Sequence, residues 1–159
     1  LRPRARQPGS AHFDPLCRQP PSIWTGTTTH ITSSDDVTRY IASAIVDRAS
    51  NSRYAFSVFS GETLVGGSSL GNISVKDGRV EIGWTWLEPG SHGTRVNTTV
   101  KYLLLRFCFE ELQAHRVGFK TDITNGRARA ALKKIRATEE GMLRSHTGMH
   151  TGHYRDTAL

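Results

Sequence analysis

The stretch Gly90–Lys101, GSHGTRVNTTVK, joins an alternating run, RVEIGWTWL, to an apolar run, YLLLRFCFEEL. A strand that leaves through a glycine-bearing turn and opens a helix builds an anion site. The first backbone N–H groups of the helix lack partners, and the macrodipole adds partial positive charge there. Diphosphate is the usual guest. The turn is not a Walker loop, because the Gly-Lys-Ser/Thr ending is absent, and it lacks the three-glycine spacing of a dinucleotide fingerprint. A plain turn is the competing reading of the same residues.

Other chemistry-bearing residues are weaker. Gly90-Ser-His-Gly93 has the G-x-x-G form of a KH RNA clamp, but that clamp lies between helices and here a strand precedes it. His146, His150 and His153 suggest a metal, yet Gly148 and Gly152 break any shared helical face and no acid or Cys completes a tetrahedral set. No metal is expected. Arg2, Arg4, Arg6 and Arg18 offer phosphate contacts without interleaved aromatics, which reads as a basic tail before it reads as an RNA surface.

The elements that must position these residues follow from periodicity. Residues 1–22 hold most of the chain's six prolines and no periodic pattern, so they read as an irregular lead-in. Ser33 to Asp36 offer an N-cap, and Val37, Tyr40, Ile41, Ala44 and Ile45 follow at helical spacing over 36–49. Residues 54–60 and 63–70 are strand-like around a Gly61-Glu62 hairpin, and Lys76-Asp77-Gly78 is a second turn. RVEIGWTWL (79–87) alternates, which places Val80, Ile82, Trp84 and Trp86 on one face and Glu81, Gly83 and Thr85 on the other. Two apolar stripes over 97–113 predict a helix buried nearly all round. Residues 115–121 read as one strand beside 79–87. Residues 127–135 form a helix with Ala130, Ala131, Leu132 and Ile135 inward, and 138–146 with 153–159 a last hairpin. The sum is one mixed α/β domain, a sheet covered by helices.

Composition narrows the class. The chain has 159 residues, 36% hydrophobic and 22% charged, with a formal charge of +7. That is globular, and it favours anionic partners or simple solubility. Cys17 and Cys108 give no disulfide framework, so a reduced, cytoplasmic setting is expected. No apolar run is long enough to span a bilayer. The chain does not begin with Met, which leaves a fragment or a processed product open.

From Ile23 to Leu159 the motifs E-I-G-W, the loop after W-L-E-P-G, K-T-D-I-T-N-G-R-A, E-G-M-L-R-S-H and R-D-T stand in one order. This order resembles the GNAT N-acetyltransferases, and more narrowly the branch of the ribosomal-protein-alanine acetyltransferases. The resemblance implies a mostly antiparallel sheet with a splayed strand pair, and residues 23–159 as the domain. It implies acetyl-CoA as cosubstrate, direct attack by a primary amine and no acyl-enzyme. The acceptor is a protein N-terminus or a small-molecule amine; nucleic acid and membrane partners are not expected, and a monomer or homodimer is. The loop His92, Gly93, Thr94, Arg95, Val96, Asn97 and Thr98 corresponds to the diphosphate cradle. A backbone N–H near Trp86 and Leu87 corresponds to the oxyanion site. Glu81 is the candidate general base, with an exposed acid on a polar strand face as the alternative. Asn125 matches the residue that holds the pantetheine arm, and it reads equally as a helix N-cap.

The chain departs from the family pattern in the cofactor region. Arg95 stands at the central loop glycine, Ala128 at the serine that can protonate the departing thiolate, and Arg136 at the glycine of L-G-A. Residues 1–22 do not match the first strand and helix, and the chain stops inside the last strand. A catalytically impaired CoA-binding protein and a basic RNA or protein interaction module are the alternatives. Glycine enters positive φ freely and Arg does not. Arg95 is therefore expected to obstruct the backbone's approach to the diphosphate and weaken acetyl-CoA binding, and Arg95→Gly to tighten it. The alternative is a guanidinium offered to the phosphate.

Overall fold

In the computed structural model, residues 16, 19–24 and 26–159 are described. The basic tail arginines and Cys17 lie outside the described residues. The first helix, α1 (Ser34–Ala49), begins at a capping box. The Ser33 hydroxyl accepts from the Asp36 N–H, and the Asp36 carboxylate accepts from the Ser33 N–H. The N–H of Thr32, then the Ser33 and Thr32 hydroxyls and Arg39, hold the Asp36 carboxyl well below the usual carboxylate range. At its far end Asp47 accepts from Arg53 at 2.8 Å, which fastens α1 to the first strand.

Strands β1 (Arg53–Ser60), β2 (Thr63–Ser74), β3 (Arg79–Leu87) and β4 (Arg116–Gly118) form one sheet in the order β1-β2-β3-β4. The first three are antiparallel and β4 runs parallel to β3. Gly61, at φ 61°, closes the first hairpin where a two-residue turn calls for the left-handed region. A second sheet of order β5-β7-β6 is made of β5 (Thr121–Asp122), β6 (Met142–Gly148) and β7 (Tyr154–Ala158). α2 (Val96–Arg106) and a π-turn segment (Phe107–Glu111) connect β3 to β4, and α3 (Gly126–Lys134) connects β5 to β6.

Helices cover both faces of the first sheet. On one, Leu16, Trp24, Val37, Leu64 and Trp86 pack with Tyr40 and Ile41 of α1. Leu16 shows that part of the lead-in belongs to this core. On the other, Leu70, Val80, Ile82 and Cys108 pack together, with Leu104 and Phe107 against them. Val58, Val65 and Leu87 extend that face toward Val96 and Val100 of α2.

Four expectations change. Residues 80–82 alternate as expected, but Gly83 pairs with Ser69 and Trp86 with Gly67, so Trp84 and Thr85 together face one residue of β2. Trp84 has φ 50° at this bulge. One extra residue reverses a period-two pattern. Trp86 therefore packs on Trp24, on the α1 side, while Val80 and Ile82 face α2. The four side chains do not share a face.

The segment 115–121 is two strands, not one. It pairs with β3 only as far as Glu81–Gly118 and then crosses to β7, where Thr121 pairs with Ala158. The helix over 97–113 is buried on one stripe alone: Lys101 and Cys108 are 7% and 0% exposed, Tyr102 is 59% exposed, and Phe109 and Leu112 are exposed too. A helix against one sheet face buries one stripe, and among the described residues nothing covers the other. In α3, Ala131, Leu132 and Ile135 are half-buried and Ala130 is exposed.

Arg136 follows α3 at φ 61°, its N–H donating to the carbonyl of Lys133 at 3.0 Å. That is the left-handed close of a helix, where a Cβ costs roughly 1 kcal/mol. Arg136→Gly is expected to stabilise the protein by about 1 kcal/mol, read as a rise in the urea midpoint at unchanged m-value.

Candidate active site

Beyond Glu81 and Gly118 the two parallel strands part, and from Ile82 to Leu87 β3 has, among the described residues, a strand on one edge only. Its free edge borders a cleft of about 580 Å³, a volume suited to a small ligand. Gly83, Thr85 and Trp86 line one bank, Phe119 and Thr121 the other, and α2 and α3 contribute Asn97, Lys101, Asn125 and Ala128. An extended ligand in this opening can pair with free strand edges, as an added strand does.

The turn at the head of α2 has the form of an anion cradle. Gly93 supplies the left-handed step at φ 74°. The Thr94 hydroxyl donates to the carbonyl of Ser91 at 2.8 Å and accepts from the N–H of Val96 at 3.2 Å. Among the described residues the N–H groups of Asn97 and Thr98 find no carbonyl, so they remain for an anion. His92 is fixed from both sides, with Nε2 2.9 Å from the carbonyl of Leu87 and Nδ1 3.0 Å from a guanidinium nitrogen of Arg127. A carbonyl only accepts and a guanidinium only donates, which assigns the ring proton to Nε2. Arg127 is thereby held over the turn.

Arg95 departs from expectation. Its φ is −72° and its ψ −11°, in the right-handed helical region. Arg occupies that region without strain, so the premise of a positive φ at residue 95 fails; Gly93 carries it. Arg95 is exposed and does not line the cleft, and Val96 turns into the core against Leu87. Of the expected site residues, Glu81, Trp86, Leu87, His92, Gly93, Thr94, Asn97, Thr98 and Asn125 do line it. Trp86 and Leu87 pair with Gly67 and Gly66, whereas the ladder skips Trp84 and Thr85.

Asn125 caps α3, its side-chain oxygen accepting from the Ala128 N–H at 3.0 Å. The carboxamide nitrogen is left on the Gly26 side, where an added Cβ at Gly26 would lie 2.5 Å from it. Glu81 accepts from Asn72 at 2.7 Å and from Lys120 at 3.0 Å, and its side chain is only 13% exposed. It is not a solvated acid. Asp122 holds the turn before Asn125 by accepting from the N–H and hydroxyl of Thr124. Arg155 ties Gly26 to the cleft by donating to its carbonyl at 3.0 Å.

Sequence reading passed over Lys101, Lys120 and Arg127. A signal for Lys101 was present, because it stands seven residues before buried Cys108 and so on the same helix face. Its Nζ donates to Thr85 Oγ1 at 2.9 Å and sits 5.2 Å from the centre of the Phe119 ring. Burial pulls its ammonium down to about 8.

The histidines of the last hairpin are separated. His146 lies beside Thr157, His150 stacks on His30 at 4.2 Å, and His153 lies beside Thr151. Among the described residues there is no group of three metal-ligating side chains, and no helix is long and apolar enough to cross a membrane.

Comparison with known proteins gives this geometry its relatives. A Bacillus subtilis (strain 168) protein named "Putative ribosomal N-acetyltransferase YdaF" is 32% identical over 91 residues. That match covers 55% of this chain and 49% of the relative, so the chain spans about half the length of the curated relative it matches. The crystal structure of a "putative acetyltransferase" from T. thermophilus superposes with a TM-score of 0.85 at 27% identity, covering 94% of this chain and 79% of that one. Mycobacterium smegmatis RimJ, solved in complex with CoA-disulfide, shares the fold with a TM-score of 0.71 at 21% identity, over 80% of this chain and 60% of its own. The family profile described as "Acetyltransferase (GNAT) domain" matches residues 2–138, taking in most of the lead-in as well. Because that profile runs through the parted strands, the turn and the helix that Asn125 caps, this chain belongs to the GNAT family of acetyltransferases.

Proposed function

We propose that the protein is an N-acetyltransferase that moves an acetyl group from acetyl-CoA to a primary amine by direct attack. The observation that carries this reading is the cleft between β3 and the chain after Gly118, with an anion cradle at one side and a held carboxylate at the other. The N–H groups of Asn97 and Thr98 take the diphosphate, and Arg127, steadied by His92, adds charge to it. The free edge of β3 and the Asn125 carboxamide take the pantetheine arm. The bulge at Trp84 and Thr85 offers backbone groups outside the ladder for the thioester oxygen. Glu81, reached from the side of Thr28, Thr29 and Trp84, takes the proton of the attacking amine. The B. subtilis relative's name supports a ribosomal-protein N-terminus as the acceptor.

Calorimetric titration with acetyl-CoA is expected to show one site, and thiol release with N-terminal peptides to exceed release with polyamines. Binding without release from any amine would assign the chain to the impaired, CoA-binding reading. No binding would overturn the proposal. Glu81→Gln is expected to lower turnover ~10²-fold at neutral pH with acetyl-CoA affinity nearly unchanged; wild-type turnover and pH profile in this variant would remove Glu81 from the mechanism.

Arg95 now carries a different expectation from the one its sequence position suggested. With right-handed backbone and an exposed side chain, Arg95→Gly is expected to leave acetyl-CoA affinity within roughly fivefold, the scale of one exposed charge. The same titration at two salt concentrations checks it, any loss shrinking at the higher salt.

A further inference from the structure

Lys101 is a buried cation with no anion. Its partners are a hydroxyl on β3, Thr85, and an aromatic ring on the opposite bank, Phe119. Among the described residues it forms no ion pair, and burial alone weakens its hold on the proton. Glu81, the one carboxylate of the lining among the described residues, is taken by Asn72 and Lys120, and the remaining charged groups there, Arg127, Lys134 and Arg155, are cations. A desolvated ammonium is costly unless something compensates it. The Thr85 hydroxyl and the Phe119 ring offset part of that cost. No carboxylate among the described residues pairs with the ammonium, which lies where the strands part, in the lining of the cleft.

Position identifies the compensating charge. Asn97 and Lys101 are one helical turn apart and both line the cleft, so a ligand anchored by its diphosphate at the head of α2 runs inward past Lys101. Thr85, which holds the ammonium, is half of the bulge on the free edge of β3. In acetyl transfer negative charge develops on the thioester oxygen, assigned above to backbone groups of the bulge, and then on the departing sulfur, to which no donor has been assigned. Ala128 has no hydroxyl to meet it.

We propose that Lys101 is the residue that receives the departing CoA thiolate, first by charge and then by donating its proton. This rests on the acetyltransferase reading given above. The amine nitrogen bonds to the acetyl carbon as the carbon–sulfur bond breaks, and that electron pair stays on sulfur. The ammonium of Lys101 gives sulfur a proton and becomes a neutral amine. Glu81 takes the proton that the acylated nitrogen loses. Exchange with water then returns one proton to Lys101 and removes one from Glu81, leaving an amide and a thiol. A lysine titrating near 8 is matched to a thiol whose ordinary value is ~8.5.

The test reads the thiol directly and needs no turnover. Free CoA is titrated on the wild-type protein and on Lys101→Met while the ultraviolet absorbance of the thiolate is followed. The bound thiol is expected to ionise about one pH unit lower on the wild type than on the variant. Turnover of Lys101→Met is expected to fall ~10²-fold with CoA affinity retained, and Lys101→Arg to restore the low thiol ionisation but not the proton transfer. Equal thiol ionisation on wild type and Lys101→Met overturns the proposal and leaves the acetyltransferase reading standing. Failure of CoA to bind overturns both. Should Lys101→Met not fold, bound against free CoA on the wild type decides, an unshifted thiol overturning the assignment.

Urea midpoints check that the lysine is buried as an ammonium. An unfolded lysine, at about 10.5, holds its proton above the pH where the folded one, at about 8, has lost it. Wild-type stability therefore rises between those values, and Lys101→Met lacks that rise. Its advantage over the wild type is largest below pH 8 and closes as pH climbs toward 10.5. No such difference would place the ammonium in solvent and overturn the proposal.

Discussion

The parting of β3 from its parallel neighbour is the constraint on which the rest depends. Backbone groups in a sheet are satisfied by the next strand, and a strand edge without one is a template for something else. Here three residue pairs, Arg79–Arg116 to Glu81–Gly118, hold the strands together before the second one leaves for another sheet. The opening is thereby fixed by two hydrogen-bonded sheets and is not a gap between mobile loops. Every functional group described above is positioned relative to it.

The bulge at Trp84 and Thr85 is the second device, and it works with the first. Before it, apolar residues of β3 face α2; after it, Trp86 faces α1 and Leu87 faces α2. The reversal turns Thr85 toward Lys101 and Trp84 toward Arg53, whose guanidinium lies 5.5 Å from the ring. A single inserted residue thus gives the strand one end made for packing and another made for the cleft. Gly71 accommodates the arrangement, because a Cβ there would meet the Trp84 ring at 2.7 Å.

Polar residues at the site mostly hold the fold and line the cleft at once. Asn125 satisfies the first turn of α3 with its oxygen and keeps its nitrogen for the cleft. Thr94 does the same at α2, occupying the Val96 amide and leaving the next two. Lys101 differs, since it is buried without a carboxylate among the described residues, held by Thr85 and beside the Phe119 ring. Of the three departures from the family pattern, Arg136 stands in the left-handed conformation its missing glycine would favour, and Arg95 does not. The same substitution type has opposite backbone consequences at the two places.

Much of this was determined by the sequence alone, because it is local. The cap at Ser33, the Gly61 hairpin, the strand 79–87, the turn before α2 and the cap at Asn125 each follow from side-chain chemistry within a few residues. Motif order carried the family. Only the tertiary structure decided the faces. Alternation in RVEIGWTWL continues through Trp84 in the sequence, but the count of residues on the partner strand breaks it, and that partner lies elsewhere in the chain. Residues 115–121 read as one strand because nothing local records that their neighbours change after Gly118. Which stripe of the helix is buried depended on what covers it. A lysine among apolar residues gains meaning only when Thr85 and Phe119, from two separate strands' ends, are brought to either side of its ammonium. Periodicity reports what a segment can bury; which neighbours arrive to bury it, and where they part, is a property of long-range pairing.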